Sequence, residues 1–499
     1  MKNMNEPLSD TIVAPPESEI RAVYLGLMVV MGLGAIDQSI VATALPRIVT
    51  DLGGLAHLSW VVTAYVLAST STMPLYGKLS DQYGRRPLIL FAVALFLAGS
   101  VLCGLAQNLT GLIVFRAIQG LGAGGFLPLA QIIIGDLVPP AERARRQGGI
   151  VAVFAVTSVL GPLMGGLITD LLSWHWIFYV NLPIGALALF LIGRALRPSP
   201  KRQSRSIDYL GSMLLTGSTM AYLLVLSLGG SEWPWASAQV IGATALGTVL
   251  LALLLRHVRS AEDPVLPLDL FHNRVFNIGC IVMALAFLGM MGTSVFFPLF
   301  FQMVMGAAPA QSGLLTVPMM VGVVIASIVN GRVLVRTGRY KAAQVVGLSV
   351  ASAAFAGLAW GIHSAWGYGL IEPCILVLGM GLGLVMPNMT IAVQTALPVS
   401  RRGVGTAMLT FFRSLGGLVG VTGSGAILAW EVHTGGLSGP AIAAAAASRA
   451  PAVVELYRTA IAHVFMAGTV LVALALLVLF LLPEQPLAGK PEAPVPAAE

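Results

Sequence analysis

The chain has 499 residues, 57% of them apolar and only 10% charged, with a mean hydropathy of +0.87. No soluble core could hide that much apolar sequence, so composition excludes a water-soluble globular domain and indicates an all-α polytopic membrane protein. The formal net charge of +7 does not point to nucleic acid, because the basic residues lie in short loops between apolar spans, with no basic and aromatic patch.

Residues 1–21 are polar and lack the basic start and short apolar stretch of a secretory signal, so they read as a cytoplasmic N-terminal tail. An apolar run over 23–45 follows, and about 20 such residues cross a bilayer. Its one formal charge is Asp37. An ionisable group at that depth costs roughly 3 kcal/mol or more and is tolerated only against a protein interior or a wet cavity, which makes Asp37 the first functional candidate. The alternative is an aspartate that merely hydrogen-bonds helices together. Ala42, Thr43 and Ala44 imitate a cleavage site, but the span before them is too long, and it reads as an uncleaved anchor.

Further apolar runs near 57–76, 87–106, 111–134, 148–170 and 175–194 complete a six-helix bundle over 22–195. Two more, near 208–229 and 238–255, form an insert over 208–257. Runs near 276–301, 312–334, 342–361, 367–394, 405–429 and 459–482 make a second six-helix bundle over 275–482, followed by a cytoplasmic tail over 483–499. The expected total is fourteen spans. Lysines and arginines cluster in the even loops, at Lys78, Arg85 and Arg86, at Arg143, Arg145 and Arg146, and at matching later positions, so those loops and both termini are expected in the cytoplasm. The odd loops carry Asp170, Glu232, Glu372 and Glu431, with Arg47, Arg449 and Arg458 as exceptions; in the largest, residues 441–450 are alanine-rich and suit a short helix. Cys103, Cys280 and Cys374 are too widely spaced for a disulfide framework or a metal site and read as packing residues.

The chain repeats itself. Gly122, Gly124, Pro128, Pro139 and Arg143 keep the mutual spacing of Gly381, Gly383, Pro387, Pro398 and Arg402, 259 residues on (381 less 122). Gly77, Gly84 and Arg85 are echoed by Gly331, Gly338 and Arg339. Like falls on like at the cytoplasmic side, so the halves are expected to be parallel repeats about an axis along the membrane normal.

The loop over 77–87 turns the chain between two spans in about ten residues, which calls for glycines and for Pro87 to restart a helix. Asp81, Arg85 and Arg86 add charges that either pair into a latch or act as plain topology signals; the residues alone leave both open. With Gly77, Asp81, Gly84, Arg85 and Arg86 all matched, the loop resembles the signature loop of the major facilitator superfamily, and fourteen spans resemble its drug:proton antiporter family of multidrug and quaternary-ammonium exporters. That resemblance implies the major facilitator fold, and a latch role for Asp81 and Arg85 in holding the cytoplasmic side closed. Asp37, Ile40, Val41, Ala44, Leu45 and Pro46 resemble the first-helix motif, with Ser39 and Ala42 departing from it. Arg116, Gln119, Gly120, Gly122 and Gly124 resemble the fourth-helix motif, whose arginine is implicated in proton coupling; snorkelling to the outer end is the plainer reading. Gly161, Pro162, Gly165 and Gly166 resemble the fifth-helix antiporter motif, although small-residue packing alone accounts for them too. Residues 174–185, with His175 where arginine is common, resemble a family segment after the fifth helix.

The resemblance implies a proton-coupled antiporter in the cell membrane, exporting amphipathic, cationic drugs or toxic compounds; the alternative is a proton-coupled importer, or an exporter of one metabolite or antibiotic. Asp37 and Arg116 are the proton-coupling candidates. Gln38, Gln119 and Asn388 are candidates for the substrate cavity, and Met290, Met291, Met303 and Met305 offer surfaces that repack. Arg413 and His463 are polar intrusions for which packing and lumen lining stand equal. No phosphate-binding GxxxxGK[ST] loop, nucleophile with base, or metal cluster is evident, so the expectation is no enzyme, no metal and no cofactor beyond the proton gradient. Expected partners are the small-molecule substrate, protons and the lipid bilayer, with any periplasmic adaptor left open.

Overall fold

The computed structural model describes residues 16–52, 58–197, 208–230, 232–434 and 451–483. The alanine-rich helix expected over 441–450 lies outside the described residues, as does most of both tails. The first helix, α1 (Glu17–Leu52), begins inside the expected tail. Glu17 and Glu19 favour its N-terminal dipole and Glu17 pairs with Arg21 one turn on (2.8 Å), so the polar residues are recruited into helix.

The chain then runs through α2 (Leu58–Tyr83), α3 (Arg85–Gly104), α4 (Leu109–Ala123), α5 (Phe126–Leu137), α6 (Pro140–Leu171), the single turn α7 (Trp176–Tyr179) and α8 (Asn181–Ala195). The inserted pair is α9 (Tyr209–Leu228) and α10 (Ala238–Val258). The remainder is α11 (Arg274–Leu299), α12 (Pro309–Leu315), α13 (Val317–Thr337), α14 (Tyr340–His363), α15 (Tyr368–Ala396), α16 (Arg402–Thr434) and α17 (Pro451–Phe480). Among the described residues there is no strand, and 12 helical stretches are long and apolar enough to cross a membrane. The second and fifth expected spans fall in α2 and α6, whose 26 and 32 residues give lengths of about 39 and 48 Å. The apolarity of α2 is diluted by Ser69, Thr70, Ser71 and Thr72 in mid-helix, whereas residues 150–167 of α6 form an apolar stretch without a charged residue.

The fourth span is not one helix. It breaks at Gly124 and Gly125 between α4 and α5, where a side chain would have no room: a Cβ on Gly120 would stand 2.5 Å from Tyr65 O of α2, one on Gly122 2.5 Å from Phe96 N of α3, and one on Gly124 2.5 Å from Ser69 O of α2. The matching glycines of α15 meet the matching helices. Gly379 faces Met319 and Gly383 faces Val323 on α13, while Gly381 faces Ala351 and Gly347 on α14. The repeat in sequence is therefore a repeat of backbone-to-backbone contacts, made by the same kind of residue against the second and third helices of each half. Small residues are the means by which helices approach closely in lipid, where apolar burial between helices gives no driving force.

The inserted α9 packs on α10, α2 and α16. Asp208 fastens its start, accepting from Gly211 N (2.8 Å), His257 Nε2 (2.6 Å) and Val265 N (3.0 Å). Burial alone would raise this carboxyl's pKa; its donors outweigh that and hold it below the ordinary range.

Gly161 and Gly165 place α6 against α1. A Cβ on Gly161 would fall on the Ser39 side chain, and one on Gly165 on the Thr43 side chain and 2.9 Å from Ile40 O. Gly166 faces open space and Pro162 is exposed, so only two of the four expected motif residues make this contact. Gly165→Val is expected to overpack the α1–α6 contact by about 1–3 kcal/mol, lowering yield and melting temperature in detergent, while Gly166→Val melts like the unaltered protein. Equal melting of the two variants would remove the close contact.

Candidate functional site

Asp37 sits on α1 with none of its surface exposed, and the protein supplies its whole solvation. Arg116 Nη1 of α4 donates to Oδ2 at 2.6 Å; Gln119 Nε2 of α4 and Asn181 Nδ2 of α8 each donate to Oδ1 at 2.8 Å. Arg116 also donates to Gln119 Oε1 (2.7 Å) and, through Nε, to Val61 O (3.3 Å), and its guanidinium lies 4.2 Å from the centre of the Tyr65 ring. Ser100 Oγ of α3 accepts from both Gln119 (2.7 Å) and Asn181 (3.1 Å). Arg116 is 1% exposed, so it does not snorkel to an interface. Breaking such a pair by removing one partner costs about 3–5 kcal/mol, because an uncompensated buried charge is left behind. Asn181 escaped the sequence reading; an asparagine inside an apolar stretch was the available signal. Its Oδ1 is buried and has no donor among the described residues.

At the end of the bundle carrying the 77–87 loop, Asp81 closes α2 onto α16. Its Oδ1 meets Arg85 Nη1 (2.7 Å) and accepts from Gly403 N (3.2 Å), while Oδ2 accepts from Val404 N (2.9 Å). Those N–H groups belong to the first turn of α16, where helix donors have no internal acceptor and the dipole favours an anion. Gly77 permits the approach: a Cβ there would collide with Ala407 and stand 2.8 Å from Gly403 O. Gly84 turns the chain with φ 91°, a region that favours glycine. Arg85 continues to Asp136 of α5 (3.0 Å) and Ser80 Oγ (2.9 Å), and Arg86 donates to Gly193 O. Lys78 pairs with Asp263, in the segment after α10, at 2.5 Å, and Arg401 lies 3.8 Å from the same carboxylate. Asp136 and Asp263 were not expected; nothing in their local sequence marks them as partners of a loop so distant in the chain.

A cavity of about 290 Å³ lies where α5 and α6 face α11, α13, α15 and α16. Met283, Met290, Met291, Met320 and Met386 line it with Phe154, Phe287, Gln131, Thr390 and Arg413. The amides expected there are elsewhere. Gln119 is enclosed with Asp37, Asn388 exchanges hydrogen bonds with Asn330 (3.1 and 2.9 Å), and Gln38 is exposed on α1, away from the lining. Buried amides find partners first, and both had one within reach on a neighbouring helix. Met303 and Met305 also lie outside the lining. Arg413 has no hydrogen bond or ion pair among the described residues; its guanidinium rests 4.8 Å from the centre of the Phe287 ring. One aromatic face returns about 0.5–2 kcal/mol, less than the several kcal/mol that desolvating an ion costs, so the cavity is short of negative charge. His463 instead meets Glu431 at 2.7 Å, half exposed at the far end of the bundle.

Residues 27–421 match the family described as the Major Facilitator Superfamily. The chain is 37% identical over 412 residues to the multidrug transporter protein MdtP of Bacillus subtilis (strain 168), covering 83% of this chain and 76% of that one. It is 37% identical over 415 residues to multidrug resistance protein 3 of the same organism, covering 83% and 80%. Among solved structures, the proton:xylose symporter XylE bound to 6-bromo-6-deoxy-D-glucose superposes with a TM-score of 0.65 at 15% identity, over 94% of this chain and 97% of that one.

Asp81→Asn removes the charge from the start of α16 and is expected to loosen this closure by about 1–2 kcal/mol, opening it roughly 5- to 30-fold more often. With the native cysteines replaced and a single cysteine at Thr410, a membrane-impermeant maleimide should label the variant correspondingly faster. An unchanged labelling rate would leave Asp81 as a local turn residue only.

Proposed function

The chain belongs to the major facilitator superfamily, and from that premise we propose that this multi-pass membrane protein is a proton-driven exporter of amphipathic compounds across the cytoplasmic membrane. The helices α2 and α6 supply two spans beyond the twelve, which supports the fourteen-helix drug:proton antiporter group. The basic even loops support cytoplasmic termini, and the names of the relatives support export of drugs.

The observation that carries the reading is the enclosure of Asp37. Three donors are aimed at its carboxylate oxygens, and a bound proton must displace at least one of them. Protonated, Asp37 becomes a donor that needs an acceptor. Half a turn of the Asn181 amide would bring its unpartnered Oδ1 round to serve. Proton binding thus rearranges a network joining α1, α3, α4 and α8, which is the kind of two-state element that alternating access uses. A shared site would put proton and cationic cargo in competition for one carboxylate. Since donors surround Asp37 and the Met-lined cavity does not include it, we assign Asp37 to the proton and the cavity to the cargo.

In proteoliposomes with an imposed pH gradient, Asp37→Asn is expected to abolish uphill extrusion. The double variant Asp37→Asn, Arg116→Gln should fold as well as the unaltered protein, since neither charge is then stranded, and should also fail to couple. Uphill extrusion by either variant with unaltered pH dependence would place the proton site elsewhere.

A further inference from the structure

Arg413 is the one side chain in the cavity wall that no function has yet absorbed. It projects from α16 into a space otherwise lined by uncharged residues, chiefly methionines with aromatic and aliphatic side chains, and none of the lining residues is acidic. Of the buried arginines among the described residues, Arg116 has Asp37, Arg85 has Asp81 and Asp136, and Arg143, at the start of α6, donates to Val138 O. Arg413 has only the face of Phe287, and its Nε is buried without an acceptor among the described residues. Beside it, Gln131 Oε1 already accepts from Thr410 Oγ1 (3.1 Å), which leaves the donor end of that amide for an occupant. Donors without acceptors, in a chamber that excludes carboxylates, define what completes it.

We infer that the cavity selects organic anions: an aromatic or aliphatic body lies among Met283, Met290, Met291, Met320 and Met386, and its sulfonate, carboxylate or comparable head group meets the Arg413 guanidinium. This rests on the transporter reading above and replaces a cationic cargo by an anionic one. A planar guanidinium presents paired donors in the geometry that carboxylates and sulfonates accept, whereas methionines repack around bodies of differing shape. Specificity is then for charge and loose for shape. The sign of charge also changes the energetics of exchange. One proton entering as one anion leaves carries two positive charges inward, so an interior-negative potential drives export. One proton exchanged for a monovalent cation moves no net charge.

The test uses naphthalene-2-sulfonate and 2-naphthyltrimethylammonium, which share one aromatic body and differ in the head group. Calorimetric binding to the purified full-length protein should favour the sulfonate. Arg413→Gln should weaken the sulfonate about 10- to 100-fold, as for loss of one charged hydrogen bond, and leave the ammonium unchanged or tighter; Arg413→Lys should fall between. Retained ammonium binding by Arg413→Gln shows that the cavity is intact. Preference of the unaltered protein for the ammonium, unchanged sulfonate affinity in Arg413→Gln, or equal loss of both probes in Arg413→Gln and Arg413→Lys would each overturn the anion site. In proteoliposomes, sulfonate export should accelerate with an interior-negative potential, and export indifferent to potential would also count against it. Asp37→Asn should keep the sulfonate preference in binding. Sulfonate binding that depends on Arg413 in a protein with no proton-driven export would sink the antiport reading and leave the anion site standing.

Discussion

A charge placed inside a lipid-embedded bundle has to be solvated by the protein alone, and the arrangement around Asp37 follows from that requirement. Wholly buried, the carboxylate draws Arg116, Gln119 and Asn181 from two other helices and, through Ser100, touches a third. The donors must arrive at fixed positions, which demands that the helices bearing them lie close together. The glycines of α4 provide this. Gly120 and Gly124 let α4 rest on the backbone of α2, and Gly122 lets it rest on α3, carrying Arg116 and Gln119 to the aspartate. The polar centre and the small-residue seams are thus one device: the first supplies directional bonds that lipid cannot compete with, the second sets the distance at which those bonds close.

The same economy of charge recurs where the halves meet. Asp81 has no basic partner on α16; it uses the free N–H groups and the positive end of that helix instead. An attachment to backbone donors is geometrically exacting and easily broken by a small slide of one helix along another. Lys78 with Asp263 adds a contact from the segment after the inserted pair, so the joint between the halves also includes the connection that the insert lengthens. Buried ion pairs of this sort contribute little net stability but strongly define one arrangement over another.

Much of this was legible in the sequence. A lone aspartate in an apolar run, an arginine in another, and glycines repeated 259 residues apart each carry a physical reason for their presence that does not depend on the neighbours. What could not be read was pairing across distance. Asp136 and Asp263 look ordinary in their own segments, and they, like the asparagine at 181, acquire meaning only from residues tens to hundreds of positions away. The expected amides lie outside the Met-lined cavity for a related reason. Gln119 and Asn388 are polar groups in apolar spans, as a lining residue would be, but an amide within reach of another amide or a carboxylate is satisfied there and withdrawn from the lumen. Arg413, by contrast, reads alike in sequence whether packed or exposed to a cavity, and only the lack of a partner in three dimensions separates the two.

The separation of Asp37 from the cavity has a consequence for coupling. On the proposal that Asp37 takes the proton and the cavity the cargo, competition for one group cannot link them, and the link has to be mechanical. The packing offers a route. Asp37 lies on α1 within two turns of Ser39, Ile40 and Thr43, which are in direct contact with Gly161 and Gly165 of α6, and α6 presents Ile150 and Phe154 to the cavity wall. Backbone set against side chain with no Cβ between them leaves no slack to absorb a shift, so a displacement of α1 that follows rearrangement of its carboxylate is transmitted to α6 rather than lost in side-chain motion. The glycines of α6 are then more than spacers. They make the helix that carries Asp37 and the helix that lines the cavity move as one body, which is what the proposed exchange of two different ligands through one gate requires.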